Sequence, residues 1–438
     1  MDWQELYSFA SKQALLGLCF EGIERLGKEY PEELRLNPIG RELLMTWMGK
    51  AQQIRRQNMK VNAVASKLFS MLREDGMRCC ILKGQGNALM YPNPYSRTPG
   101  DIDVWIDASR ERIMEYAQKK YELGDDIRLQ HLETSLDGVP VELHFFPCSM
   151  NNPIYHARLQ KWFKRNADLQ CSHIVGLPDG AGDIAIPTTA FNVVYQLTHL
   201  YHHFFDEGIG MRQIIDYFLV VNDFSKNVFL DYDFSNHPVP LSKEGSTFSP
   251  SPSSSGSGDV TAPSRCSEPL RSKDGGASKP SPDCAGWDRR GVSGDTSSAS
   301  CSSASGSSIT SVRSAFTTDS SASTALVVVQ RELKYLGLWK FAGAVMYVLK
   351  EVLGLAEDKM IVPMDEKRGR LLLAEILDGG NFGRHFTKYA GFTHQSMGKK
   401  YFLKIWRNMH FVRYYPAEAL SEPIFRTWHF FWRVKNKK

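Results

Sequence analysis

Between about residues 242 and 322 the chain gives up its aliphatic side chains: TFSPSPSSSGSG is followed by TSSASCSSASGSSITS, with charges in balance. Such a stretch cannot bury enough apolar surface to offset the entropy of ordering it, so it divides what can fold into a part before it and a part after. It is read as a long disordered insertion, 241–323. Its cysteines, Cys266, Cys284 and Cys301, are 18 and 17 residues apart with no histidine near them, which fits no zinc site.

The rest of the chain has the apolar content for a sizeable core, 42% of all residues being hydrophobic. The formal charge of +5 is uneven: residues 399–438 hold ten Lys and Arg against Glu418 and Glu422, a local +8 that leaves about −3 elsewhere. That excludes a chain basic throughout, such as a chromatin packer. The tail KKYFLKIWRNMHFVRYY…FRTWHFFWRVKNKK interleaves cations with aromatics. The pattern suits a core helix with snorkelling cations, contact with an anionic glycan, lipid or membrane surface, or nucleic acid. Nucleic acid has the least support, because no RNA-binding signature is present. Eight cysteines, with Cys79-Cys80 adjacent, are too few for a disulfide-built fold. The opening residues lack the positive region of a secretory leader, and no apolar run reaches the roughly 18 residues of a membrane span. The expectation is a cytoplasmic protein.

The spacing of apolar residues predicts a helical lobe over 1–76, with IRRQNMKVNAVASKLFSMLREDG stopping at Gly76. The period then changes. RCCIL is a short apolar strand, GQGNALMY a turn into a helix, DIDVWID an alternating strand and VPVELHFF another, giving an α/β core over 77–180. Helical spacing returns in 181–240, and 325–355 is apolar on more than one face, as a buried helix in a C-terminal region 324–438 would be. The fold class is α+β: a small mixed sheet flanked by helical regions, with the insertion between them.

In DIDVWID the period of two puts Asp101, Asp103 and Trp105 on one face and Ile102, Val104 and Ile106 on the other. Paired carboxylates at this spacing are commonly relieved by a divalent cation with oxygen ligands, magnesium being the obvious one. Solvated or capping acids at a strand end are the plain alternative. Lys83-Gly84-Gln85-Gly86 follows RCCIL, and its glycines would let backbone N–H groups approach a phosphate, or else make a simple turn. In VPVELHFF, Glu142 and His144 share a face opposite Val141, Leu143 and Phe145, so a third carboxylate is available.

The order of strand, glycine turn, helix, Asp-x-Asp strand and a further acidic strand resembles the nucleotidyltransferase superfamily with the DNA-polymerase-β-like fold. The stretch ILKGQGNALMYPNPYSRTPGDIDVWID resembles the bacterial uncharacterised nucleotidyltransferase family through Lys83, Gly84, Tyr91, Pro92, Arg97, Gly100, Asp101, Ile102 and Asp103. LTHLYHHFFDEGIGMRQIIDYFLVV is similar to that family's helical segment through His199, His203, Gly210, Arg212 and Asp216. The resemblance covers about half the chain, well over 60–225 and more loosely over 325–385.

It implies Mg²⁺-dependent transfer of an NMP from an NTP to an unidentified acceptor hydroxyl or phosphate, with Mn²⁺ a substitute for Mg²⁺. Asp101, Asp103 and Glu142 would be the catalytic metal ligands. Lys83, Gly84, Gly86, Arg97 and Arg212 would bind the nucleotide, and His144, His199 and His203 would contact substrate. Two departures leave open a catalytically inactive nucleotide- or partner-binding module: Gln85 stands where the superfamily turn has serine or glycine, and Glu142 where it has aspartate. The basic tail would suit a transferase that modifies RNA or protein. His199 and His203, one turn apart, could bind zinc, but no Glu lies between them as in H-E-x-x-H and Asp206 is no evident third ligand, so structural or substrate contacts fit better. Arg212 and Asp216 are also one turn apart, which a helix-surface ion pair would explain.

Overall fold

The computed structural model describes residues 1–121, 128–227, 318–385 and 397–436. The Ser-rich insertion lies outside the described residues apart from its last few, which open a helix at Thr318.

Helices α1 (Trp3–Lys12), α2 (Leu16–Glu29), α3 (Pro31–Leu36) and α4 (Arg41–Glu74) form the expected helical start. Asp2 caps α1, its carboxylate accepting from the backbone N–H groups of Gln4 and Glu5 at 2.9 and 3.0 Å. α4 stops where its sequence says it should: Gly76 adopts φ +72°, and the Met77 N–H reaches back to the Leu72 carbonyl at 2.8 Å. Val61, Val64, Ala65, Leu68, Phe69 and Leu72 recur at helical spacing on α4 and bury its inner face against the sheet.

That sheet is built from β1 (Cys79–Leu82), β2 (Ile102–Ile106), β3 (His131–Leu136) and β4 (Val139–His144), with the short α5 (Gly84–Ala88) after β1 and α6 (Arg110–Lys120) after β2. The spatial order is β1-β2-β4-β3, antiparallel at both edges and parallel between β2 and β4, so the sheet is mixed as expected. Alternation sends its two faces to two cores. Cys79, Ile81, Ile102, Val104, Ile106, Val141 and Leu143 pack with α4, whereas Cys80, Leu82 and Trp105 join the larger helical core. β3 and β4 meet through Asp137-Gly138, both at positive φ, 51° and 71°, as a two-residue hairpin turn requires.

Helix α7 (Pro153–Ser172), strands β5 (Ile174–Gly176) and β6 (Asp183–Ala185), and helices α8 (Thr189–Asp206) and α9 (Met211–Asn227) follow. Trp105 stacks on Phe191 of α8 at 6.2 Å, and Phe191 on Trp162 of α7 at 4.6 Å. This aromatic contact lays α8 along the acidic face of β2. After the insertion come α10 (Thr318–Tyr335), α11 (Trp339–Leu353), α12 (Glu366–Gly379), α13 (Met397–Met409) and α14 (Pro416–Asn436). The apolar stretch 325–355 is two helices, broken at Gly337 (φ +74°), and α11 is buried continuously from Phe341 to Leu349. Ala325, Val329, Leu333 and the α11 side chains share one core with α8 and α9, so the chain on the two sides of the insertion packs into a single unit.

The aromatic tail serves two purposes. Phe411, Tyr415 and Ala419 enter the core, while Leu420, Ile424, Trp428, Phe431 and Val434 form an exposed stripe on α14. Among the described residues no helix is long and apolar enough to cross a membrane.

Candidate active site

The parallel pairing of β2 and β4 sets Asp103 opposite Glu142 and Trp105 opposite His144, so the acids expected on separate strands share one face. Asp101 stands just ahead of β2 and is exposed, Asp103 is buried, and Glu142 is half-buried. Lys83 ends β1 at φ +51°, a left-handed conformation rare outside glycine, with Gly84 continuing at φ +39°. This turn places the Lys83 ammonium 3.1 Å from Asp103 Oδ1 and 2.8 Å from His199 Nε2. From the other side His144 Nε2 lies 3.1 Å from both Asp103 Oδ1 and Glu142 Oε2.

These contacts set the charge states. The like charge of Asp103, then burial, push Asp101 up to about 6. Burial alone would raise Asp103 too, but Lys83 and then His144 hold it well below the usual carboxylate range. Burial opposes the charged form of His144, yet its hydrogen bonds to Asp103 and Glu142 prevail and lift it to about 9. For Lys83, Asp103, Asp101 and Glu142 overcome burial and keep the ammonium charged. Burial, with Lys83 beside it, depresses His199 strongly, leaving a neutral ring that accepts from the lysine.

Lys83, Gly84, Arg97, Asp101, Asp103, His199 and Arg212 all line one cleft, a narrow one of about 50 Å³. Glu142 and His144 back Asp103, and His203 Nε2 lies 3.0 Å behind His199. Gly86 is not part of the lining: it faces Ile186, where an added Cβ would come within 3.0 Å. Gln85 is buried and donates to Asn62 on α4. With only five residues, α5 has little macrodipole to offer an anion, so the fixed cations of the cleft are the side chains of Lys83, Arg97 and Arg212.

The ion pair differs from the one that the helical spacing of Arg212 and Asp216 suggests. Asp216 pairs with Arg97, whose Nε and Nη2 each reach a carboxylate oxygen at 2.8 Å, and it accepts from the Tyr91 hydroxyl at 2.8 Å. Arg212 instead donates to the Thr98 carbonyl at 3.0 Å. Asp206 is held by Lys404 and Arg426 at 2.9 and 3.0 Å, away from a zinc-ligand role beside His199 and His203.

The sequence reading passed over the groups that hold this cleft in place. The Asn58 amide donates to the Tyr95 and Arg97 carbonyls at 3.1 and 2.8 Å, fixing the loop that delivers Asp101. Asn87, Asn192 and Gln196 form a buried amide network that joins α5 to α8. His131 on β3 is buried beside Glu142, and burial followed by the nearby His144 lowers it to about 4. The Asp137-Gly138 dipeptide between alternating stretches was the available signal for β3.

The carboxylates available to a hard divalent cation are Asp103 and Glu142, paired across β2 and β4, and Asp101, close enough to Asp103 to be raised by it.

The fold and this cleft define a protein of nucleotidyltransferase-like α+β architecture. The chain belongs to the uncharacterised nucleotidyltransferase family, whose model matches residues 1–235. Among solved structures it is similar to an antigenic nucleotidyltransferase-like protein from Paracoccidioides brasiliensis. The two are 16% identical over 37% of this chain and 75% of that one, with a TM-score of 0.25, too slight a likeness to bear on function. A comparison with curated proteins found no match.

Proposed function

We propose that the cleft transfers an NMP from an NTP to an acceptor hydroxyl or phosphate, with Asp101, Asp103 and Glu142 as ligands of Mg²⁺. The observation that carries this reading is the register of β2 and β4, which puts Asp103 against Glu142 with Asp101 at the cleft beside them. When bound, Mg²⁺ would neutralise charge on the phosphoryl oxygens. Lys83 and Arg212 supply fixed positive charge on the cleft wall for the triphosphate. Arg97, committed to Asp216, acts by fixing the loop that carries Asp101 rather than as a free phosphate ligand. In the transfer the acceptor oxygen bonds to the α-phosphorus as the α–β bridging bond breaks. Pyrophosphate departs, and a hydroxyl acceptor gives up its proton to solvent.

A binding module without turnover is the second reading, favoured by one contact set: Asp103 Oδ1 is already met by both Lys83 and His144. The exposed stripe of α14, with Arg433 and Lys435 near its end, supports an acceptor or docking surface of anionic glycan or lipid character.

Pyrophosphate release from each of the four NTPs, with and without Mg²⁺, tests the proposal. Release by the wild type that disappears in Asp101→Asn/Asp103→Asn supports transfer. Mg²⁺-dependent nucleotide binding with no release, across a broad acceptor panel, would replace it with the binding reading.

A further inference from the structure

His131 is a buried histidine that stands beside two carboxylates and hydrogen-bonds to neither. Both of its ring nitrogens are shielded from solvent, and neither makes a hydrogen bond. Its Nδ1 nonetheless lies 3.3 Å from Glu142 Oε2 and its Nε2 3.8 Å from Glu133 Oε1, and His144 Nε2 stands 3.1 Å from the same Glu142 oxygen. The His131 and His144 rings are 5.0 Å apart between centroids. A buried polar group left unpaired is costly, so this arrangement calls for a partner between the two rings.

The arrangement is that of a coordination sphere. Ligands about 2.0–2.2 Å from a tetrahedral metal stand roughly 3.3–3.6 Å from one another, close to the 3.1 and 3.3 Å separations here. One ligand atom each from His131, Glu142 and His144 falls within 4.8 Å of the others, the group among the described residues with that property. The register explains why: His131 pairs with His144 across β3 and β4, and Glu133 with Glu142, so the two histidines stand side by side at the end of adjacent strands. The proton that His144 shares with Glu142 sits where a cation would sit.

The geometry points to a second metal site, formed by His131, His144 and Glu142, for a first-row divalent cation, Co²⁺ or Zn²⁺ above all and Mn²⁺ more weakly. Two imidazoles and one carboxylate select such ions over Mg²⁺, which prefers oxygen. Glu142 links this site to the transfer cleft, so the ion would hold that carboxylate in place beside Asp103. The inference does not require turnover and stands apart from the transfer reading.

The test uses the full chain, stripped with a chelator, titrated with Co²⁺ alone and followed by visible absorption. One equivalent should bind with the intense bands of a low-coordinate, nitrogen-ligated ion, and equimolar Mg²⁺ should not displace it. His131→Ala and His131→Gln should each weaken binding at least tenfold, while Asp101→Asn should leave the bands intact. Pulsed electron paramagnetic resonance of Mn²⁺ on the wild-type chain should show coupling to imidazole nitrogen. Wild-type Co²⁺ binding without those bands, equal binding by the His131 variants, or Mn²⁺ without nitrogen coupling would overturn the inference. A wild type that binds Co²⁺ in this way but releases no pyrophosphate supports the site and counts only against transfer.

Discussion

Replacing Asp216 by alanine strands the Arg97 guanidinium in the interior. Both residues are 5% exposed, and the pair is joined by two hydrogen bonds of 2.8 Å, with Tyr91 adding a third to the same carboxylate. Removing one partner of a buried pair costs about 3–5 kcal/mol, because the remaining charge is uncompensated. The Tyr91 hydroxyl left without its acceptor adds on the order of 1 kcal/mol. Against a typical total stability of about 5–15 kcal/mol, the loss should be plain in urea unfolding followed by far-ultraviolet circular dichroism. Arg97→Met/Asp216→Leu removes both charges and should lose far less, giving a coupling energy of at least about 2 kcal/mol in the double-mutant cycle. The reasoning also fixes a pH dependence. Burial would raise Asp216, but Arg97 outweighs it and lowers the folded carboxyl below its unfolded value. The pair's contribution is therefore complete above the ordinary carboxylate range and is lost as pH falls through the folded value. A single variant within about 1 kcal/mol of wild type, or a double variant as damaged as the sum of its parts, would refute this account.

Glu418 should act in the opposite sense. Burial raises it to about 7, despite hydrogen bonds from the Asn151 and Asn152 backbone, so stability should fall as pH rises from the ordinary carboxylate range through 7. The span is on the order of 3 kcal/mol, and urea midpoints of Glu418→Gln should lack that slope. Two glycines of α2 make a matched pair: a Cβ at Gly17 would come within 2.3 Å of the Ser96 carbonyl oxygen, whereas one at Gly22 meets nothing within 4 Å. Thermal melts should show Gly17→Ala destabilised by about 1–3 kcal/mol and Gly22→Ala stabilised by roughly 0.5–1 kcal/mol. Asn58→Ala removes the amide that ties down the Tyr95 and Arg97 carbonyls, and should cost about 1–3 kcal/mol in the same assay.

The acidic face was legible because a strand has a strict period of two: Asp101 and Asp103 opposite Ile102 and Val104, and Glu142 and His144 opposite Val141 and Leu143, follow from alternation alone. Alternation does not say which strands are neighbours, so the pairing of Asp103 with Glu142 had to come from the sheet. The Gly76 stop was equally local, resting on one left-handed residue. Arg97 is the instructive contrast. Helical spacing joins Asp216 to Arg212, but Asp216 takes its partner from a loop 119 residues away, a choice made by packing that no local period records. His131 was passed over for a related reason. A lone histidine in HLETSL carries no signal until β3 pairs with β4 and brings it beside His144. The tail mixed two signals in one segment, its buried side at Phe411 and Tyr415 and its exposed side at Trp428 and Phe431.

The central claim is that Asp101 and Asp103 support nucleotidyl transfer, and label from the α-phosphate of an NTP tests it most directly. Wild-type protein incubated with Mg²⁺, each labelled NTP in turn and a cell extract as acceptor source should transfer label, while a folded Asp101→Asn/Asp103→Asn variant transfers none. Label moved equally well by the two proteins would contradict the claim, and so would its absence from the wild type with all four nucleotides.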